Sequence, residues 1–266
     1  MNIGSVVPIA GFPIHETTAR ELSAFLSTSL RQREKISLLF ANCNFVVNCM
    51  ALRNELRDER VLIVNDGVGL DIAARLLRGR GFKANLNGTD FTPYWFRQSA
   101  RPLRVFLLGG RPESVRKAAV YVSRELRQEV VGWRDGYADM RNNADVIDRI
   151  NRSGAEVLLV ALGNPLQEEW ILHNRELLDA GVVAGVGALF DFWSGDKIRA
   201  PKFLRDMRME WLFRLCQEPR RLLRRYTIDM PRFFAHCVFP ASRTPADGSR
   251  HHRKRGSAVA SKHNET

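Results

Sequence analysis

An α/β fold, with a mainly parallel sheet between helices, follows from three short apolar runs: Val61–Val64, Val105–Leu108 and Val157–Leu162. Each is continuous rather than alternating, rich in β-branched residues and only four to six residues long, the pattern of a strand covered on both faces. Each also enters a turn bearing Gly or Asp and then a helical pattern. Strands alternating with helices read as βαβ units in a Rossmann-like order, with ligands expected at the carboxyl ends of the strands.

Taken along the chain, a helix is expected near 17–31, then a strand at Ser37–Phe40 entering Asn42-Cys43-Asn44, and a helix near 46–57. The strand Val61–Val64 enters Asn65-Asp66-Gly67-Val68-Gly69 and helices near 67–78 and 90–98. Val105–Leu108 enters Gly109-Gly110 and a helix near 112–127, with another near 143–152. Val157–Leu162 precedes a helix near 166–178, and a last strand, Val182–Val186, enters Gly187-Ala188-Leu189-Phe190-Asp191. Residues 1–195 are thus expected to form the α/β core. From Pro201 the apolar residues Phe203, Met207, Trp211 and Leu215 recur every four positions, the mark of a helix with one apolar stripe. Pro219 suits the first turn of a second helix, and Pro231 is expected to end it. A helical appendage over 196–240 and, after Pro240, a polar disordered tail over 241–266 complete the expected organisation.

Charge is concentrated in that appendage. The net charge is +12, yet 196–240 holds eleven cations against five anions and 241–266 six against two, which leaves only +2 for the first 195 residues. An anionic partner therefore belongs to the C-terminal part. In a helix, Arg214, Arg221 and Arg225 share a face beside an apolar strip of Leu222, Leu223, Tyr226 and Met230. Phe233 and Phe234 add further apolar surface, so the segment suits an anionic membrane surface or a diphosphate. No run approaches eighteen apolar residues and the first residues lack a signal-peptide pattern, so membrane contact is expected to be peripheral. Cys43, Cys49, Cys216 and Cys237 form no CxxC pair and read as reduced and cytosolic. The six histidines show no metal-ligand spacing.

Three strand-to-helix turns carry the candidate chemistry. Asp66 stands at a strand end beside glycines, as a general base or as the cap of the next helix. Gly109-Gly110 permits close backbone approach at a helix start, which suits a nucleotide diphosphate or a plain tight turn. In Gly163-Asn164-Pro165-Leu166-Gln167-Glu168-Glu169-Trp170 the glutamates complement the helix dipole. The neutral amide of Gln167 offers hydrogen bonds to a sugar hydroxyl or a phosphate oxygen. Asp135-Gly136-Tyr137-Ala138-Asp139 lacks the Asp-x-Asp spacing of a cation-held sugar nucleotide and reads as a solvated loop.

Together with Asn87-Gly88-Thr89-Asp90, Phe190-Asp191-Phe192, Gly195, Arg199-Ala200-Pro201 and Glu210-Trp211 through Arg225-Tyr226, these blocks resemble, in order over about 36–227, the WecG/TagA/CpsF glycosyltransferases. The resemblance implies an inverting transfer, without metal or other cofactor, from a UDP-sugar to a sugar on polyprenyl (undecaprenyl) diphosphate, in cell-surface or extracellular polysaccharide synthesis. It further implies Asp66 as catalytic base and Gln167 as a site residue contacting donor or acceptor. Asn42 and Asn44 would line the cleft, and Gly109, Gly110, Tyr137 and Asp191 would surround the uridine. Arg214, Arg221, Arg224 and Arg225 would meet the lipid diphosphate, at the inner face of the cytoplasmic membrane. A homo-oligomer stays open. Many members carry Thr where this chain has Asn42 and Arg where it has Asn85, so N-acetylmannosamine, glucose and glucuronate all remain as donor sugars. Two rivals of other classes remain: a nucleic-acid-binding protein, disfavoured because the cations alternate with Trp211, Leu212, Phe213 and Leu215, and a nucleotide-sugar-binding regulator without chemistry.

Overall fold

In the computed structural model, residues 3–136, 143–201, 204, 210–217, 219, 223 and 225–238 are described. Ten helices and eight strands over these residues are used below. They run β1 Ser5–Ile9, β2 Phe12–Glu16, α1 Ala19–Gln32, β3 Ile36–Ala41, α2 Cys43–Asn48, β4 Val61–Asn65, α3 Val68–Arg78 and α4 Gly88–Gln98. There follow β5 Arg104–Gly109, α5 Pro112–Arg124, β6 Glu129–Arg134, α6 Asn143–Ser153, β7 Val157–Ala161, α7 Leu166–Asn174, β8 Val182–Gly185 and α8 Leu189–Trp193. The C-terminal part contributes α9 Glu210–Gln217 and, after a π-helical turn at Arg225–Asp229, α10 Met230–Val238.

The strands form one sheet in the order β1-β2-β4-β3-β8-β7-β5-β6, parallel throughout except for the β1–β2 hairpin. Strands β3, β4, β7 and β8 are buried along their whole length, as their unbroken apolar sequences require. One core layer packs β3 Leu39 and β7 Val160 against Phe45 of α2, Leu70 of α3, Ile147 of α6 and Ile171 of α7. The other packs β3 Leu38 and β5 Leu107 against Leu22 of α1, Trp95 of α4, Val122 of α5 and Phe190 of α8. Apolar burial on both faces, at about 25 cal/mol per Å², is the main stabilising term of such a three-layer stack.

Several expected elements shift. The helix expected near 46–57 starts earlier, at Cys43, because the Asn42 side chain accepts the Phe45 N–H and caps it; after Asn48 it gives way to two short 3₁₀ turns. The β1–β2 hairpin, β6 and α8 join the elements expected. Pro231 does not end a helix: it is the second residue of α10. A proline near a helix start forgoes an N–H that has no partner there, and the wider π-helical turn ahead of it accommodates the ring.

The end of the appendage returns to the core. Phe233 is fully buried and Cys237 nearly so, both in the layer that holds Phe45 and Val46 of α2. Phe233 is therefore not available to lipid, because its ring fills the protein interior. Gly69 sits where α2, α3 and α10 converge: a Cβ there would stand 2.2 Å from Cys43 Sγ and 3.9 Å from Met230 Sδ. The stripe residues Phe203 and Met207 and the whole of 241–266 lie outside the described residues. Among the described residues no helix is long and apolar enough to cross a membrane, and none of the four cysteines is in a disulfide.

Candidate active site

Adjacent strands β3 and β8 send their following helices to opposite faces of the sheet, α2 to one core layer and α8 to the other. A crevice therefore opens at their carboxyl ends, the place where open α/β sheets hold ligands. Asn42 leaves β3 there, and Asp66 leaves β4 one strand away.

The two are joined. The Asp66 N–H donates to the Ala41 carbonyl at 2.7 Å, and Asn42 Nδ2 donates to Asp66 Oδ2 at 3.4 Å. The N-cap position of α3 falls on Gly67, whose φ of 94° suits glycine, so Asp66 stands one residue outside the cap. The Gly67 N–H in turn donates to Asn85 Oδ1 at 2.7 Å, which fixes the turn that carries the carboxylate. Asn85 is one of the two positions where this chain departs from the pattern it resembles, and it bears directly on Asp66.

Asn44, in the first turn of α2, faces a second group. Its Nδ2 donates to Asn164 Oδ1 at 3.3 Å, and Asn164 Nδ2 donates to Glu168 Oε1 at 2.5 Å. Gln167 Nε2 donates to the same Glu168 oxygen at 2.7 Å, while Gln167 Oε1 accepts the Gly187 N–H at 3.0 Å. A Cβ on Gly185 would come within 3.2 Å of Gln167 Nε2, so β8 carries glycine where this amide lies against it. Gln167 is only 3 % exposed and Glu168 only 1 %. Burial pushes the Glu168 carboxyl up to about 7, against the lowering effect of its amide donors. The Cys49 thiol at the end of α2 faces it, and that thiol is pushed upward by burial first and then by Glu168.

Gln167 was expected to contact a ligand directly. In the structure its amide bonds Glu168 and the Gly187 N–H. Gln167→Ala is expected to lower activity through a displaced Gly187 turn, and by less than the loss of Asp66. Steady-state constants unchanged from wild type would remove it from the site.

The Gly109-Gly110 turn is built by backbone contact among three strand ends. A Cβ on Gly109 would meet the Ala161 carbonyl at 2.4 Å, and the Gly110 N–H already donates to that oxygen at 3.0 Å. The Gly136 N–H donates to the Gly110 carbonyl at 2.9 Å. Only glycine fits this approach, and at the first turn of α5 the Ser114 hydroxyl donates to the Asp196 carboxylate at 2.6 Å. Asp191 lies in α8 with Lys197 Nζ 3.1 Å from its Oδ2. Beside α8 a cleft of about 240 Å³ is lined by Asp90, Arg97, Tyr121, Trp193, Lys197 and Arg199 among others.

Asn42, Asn44, Asp66 and Gln167 thus gather at the ends of β3, β4, β7 and β8, with Gly109-Gly110 and Asp191 at neighbouring ends. Tyr137, Arg221 and Arg224 lie outside the described residues, and Arg214 and Arg225 are described in their backbone only. Glu168 escaped the sequence reading, which took it for a dipole partner. Its helical phase was the available signal: Glu168, Ile171 and Asn174 fall at three-residue steps and share the buried face of α7.

Residues 7–246 match the glycosyl transferase WecG/TagA/CpsF family. The chain is also similar to the N-acetylglucosaminyldiphosphoundecaprenol N-acetyl-beta-D-mannosaminyltransferase of Bacillus spizizenii. The two are 32 % identical over 219 residues, which cover 78 % of this chain and 83 % of that protein.

Proposed function

This chain belongs to the WecG/TagA/CpsF family of glycosyl transferases, and from that premise we propose that it moves a hexose-type sugar, with inversion, from a UDP-sugar to a sugar on polyprenyl diphosphate. The observation that carries the reading is the Asp66 carboxylate at the end of β4, oriented by Asn42 beside the strand-end crevice. The acceptor hydroxyl gives its proton to Asp66, and its oxygen attacks the anomeric carbon from the side opposite UDP. The glycosidic bond to the diphosphate breaks as the new one forms, so configuration inverts. The first turn of α5 and the C-terminal arginines offset the charge left on UDP.

The relative's name supports a diphosphoundecaprenol-linked acceptor. Its N-acetylmannosaminyl donor does not transfer directly, because Asn85 replaces an arginine of the family pattern and braces the Asp66 turn. The donor sugar is N-acetylmannosamine, glucose or glucuronate. Incubating the protein with a panel of these UDP-sugars and short polyprenyl-diphosphate sugars, then reading product mass, tests donor and acceptor together. Absence of any product across the panel would leave a UDP-binding regulator as the better account.

A polyprenyl-linked substrate supports work at the inner face of the cytoplasmic membrane, with the basic appendage as the contact. Each cation near an anionic surface contributes about 1 kcal/mol, so Arg221→Ala with Arg225→Ala is expected to weaken vesicle binding by about 2 kcal/mol, roughly thirtyfold. Transfer to a lipid-linked acceptor should fall with it, and UDP binding should not. Sedimentation with anionic vesicles, compared with duplex and single-stranded nucleic acid at physiological salt, checks this and separates the nucleic-acid alternative.

A further inference from the structure

Glu168 is a buried acid that the proposed transfer leaves unused, and its hydrogen bonds are lopsided. Oε1 accepts from both Asn164 Nδ2 and Gln167 Nε2, at 2.5 and 2.7 Å. Oε2 is buried and meets no amide side chain, and beyond the amides the carboxyl has only the Cys49 thiol, a weak hydrogen-bonding group, as a side-chain partner. An ionised carboxylate spreads its charge over both oxygens and needs donors on each. A neutral acid does not: its carbonyl oxygen accepts two bonds, and its hydroxyl rests against a weak acceptor. The Cys49 thiol, just after α2, is the titratable group that bonds it, Glu169 of α7 also acts on that thiol, and the side-chain donors from the β7–α7 turn and α7 are amides.

What the clamp holds is the site itself. Through Asn164 it reaches Asn44 after β3, and through Gln167 the N–H of Gly187 after β8. Two amides bond one Glu168 oxygen and link it to Asn44, which follows β3, and to the turn after β8. Given the glycosyltransferase activity proposed for this chain, we propose that Glu168 is its positioning residue, a neutral acid that fixes these turns without adding negative charge beside Asp66 and an incoming diphosphate. Ionisation would introduce that charge. Activity then needs Asp66 ionised and Glu168 protonated, which gives a bell-shaped dependence on pH.

The test is a pair of variants read in three ways. Glu168→Gln keeps the shape of the neutral acid and its doubly accepting oxygen, and it should stay close to wild type near neutrality. Its kcat should not show the wild-type decline as pH rises above about 7, the value to which burial brings Glu168. Glu168→Ala should lower kcat about tenfold or more, as displaced turns cost alignment, with circular dichroism unchanged. The third reading is independent of activity. The folded carboxyl keeps its proton up to about 7, whereas the unfolded chain releases it near 4.5. Unfolding between those values sheds a proton, so wild-type stability should fall as pH rises through that window and then level off. Glu168→Gln should lack that component.

If Glu168→Gln is as impaired as Glu168→Ala at every pH, the ionised form is required and the proposal is wrong. It is equally wrong if the alkaline decline persists in Glu168→Gln, or if the pH dependence of stability is the same with and without the acid. Should Glu168→Ala fail to fold, the glutamine variant decides alone. A wild-type protein that turns over no lipid-linked acceptor overturns the glycosyltransferase reading, and the stability profiles then decide the state of Glu168 by themselves.

Discussion

Asp66→Asn is expected to lower the turnover of sugar transfer by about 10²- to 10⁴-fold, the contribution of a general base. The amide keeps the size of the carboxylate but cannot take the acceptor's proton at neutral pH. The fold should be untouched, because the N–H that ties this residue to the Ala41 carbonyl belongs to the backbone. The new side chain can still present an oxygen to Asn42 Nδ2, now 3.4 Å from Asp66 Oδ2. UDP binding should hold as well, since on the proposed function the diphosphate is held near the Gly109-Gly110 turn and not by Asp66. Single-turnover kinetics with saturating donor and acceptor isolate the chemical step. A variant that keeps more than about a tenth of wild-type turnover would reduce Asp66 to a binding group.

How much of this was legible follows the physics of each element. The covered strands β3, β4, β5, β7 and β8 announce themselves as apolar runs, and glycines mark the turns after all of them but β3. The β1–β2 hairpin is hard to see in the sequence because Pro8 and Pro13 interrupt its strand pattern. In the sheet they stand opposite one another, in a register where β1 is the edge. Strand β6 was hidden for another reason: as the opposite edge it is only partly buried, and Gly132 and the charged Glu129 and Arg134 dilute its pattern. The positions of Asn42, Asp66 and Gly109-Gly110 were legible because strand-to-helix turns at a parallel sheet's carboxyl edge are few. The bonds between them were not. That Asn44, Asn164, Gln167 and Glu168 form one network depends on β3, β7 and β8 being neighbours, and strand order is a long-range property that local patterns do not carry. Burial of Glu168 likewise comes from packing: the same residue on an outward face would be the ordinary dipole partner the sequence suggested.

The C-terminal helix offers the sharpest test of how the appendage joins the core, and Phe233→Ala should lower global stability by about 3–5 kcal/mol. The ring is fully buried, stands 5.1 Å from that of Phe234 and belongs to the same core layer as Phe45 and Val46 of α2. Its loss removes apolar burial and leaves a cavity that a packed layer closes only in part. Val238→Ala is the internal control: Val238 is 63 % exposed, and its truncation should stay within about 0.5 kcal/mol of wild type. Urea midpoints measured at constant slope separate the two. Equal midpoints for Phe233→Ala and wild type would mean that α10 is a loosely attached end, and that the basic segment before it has no anchor on the catalytic domain. The expected result carries the opposite consequence. Asn42, which orients Asp66, caps α2, and α2 is the helix on which α10 packs. On the proposed function, a fixed α10 serves to bring the basic segment that meets the lipid diphosphate to the helix whose cap orients the base. Phe233→Ala should on this account reduce transfer to a lipid-linked acceptor even at temperatures where the core remains folded, while leaving UDP binding in place.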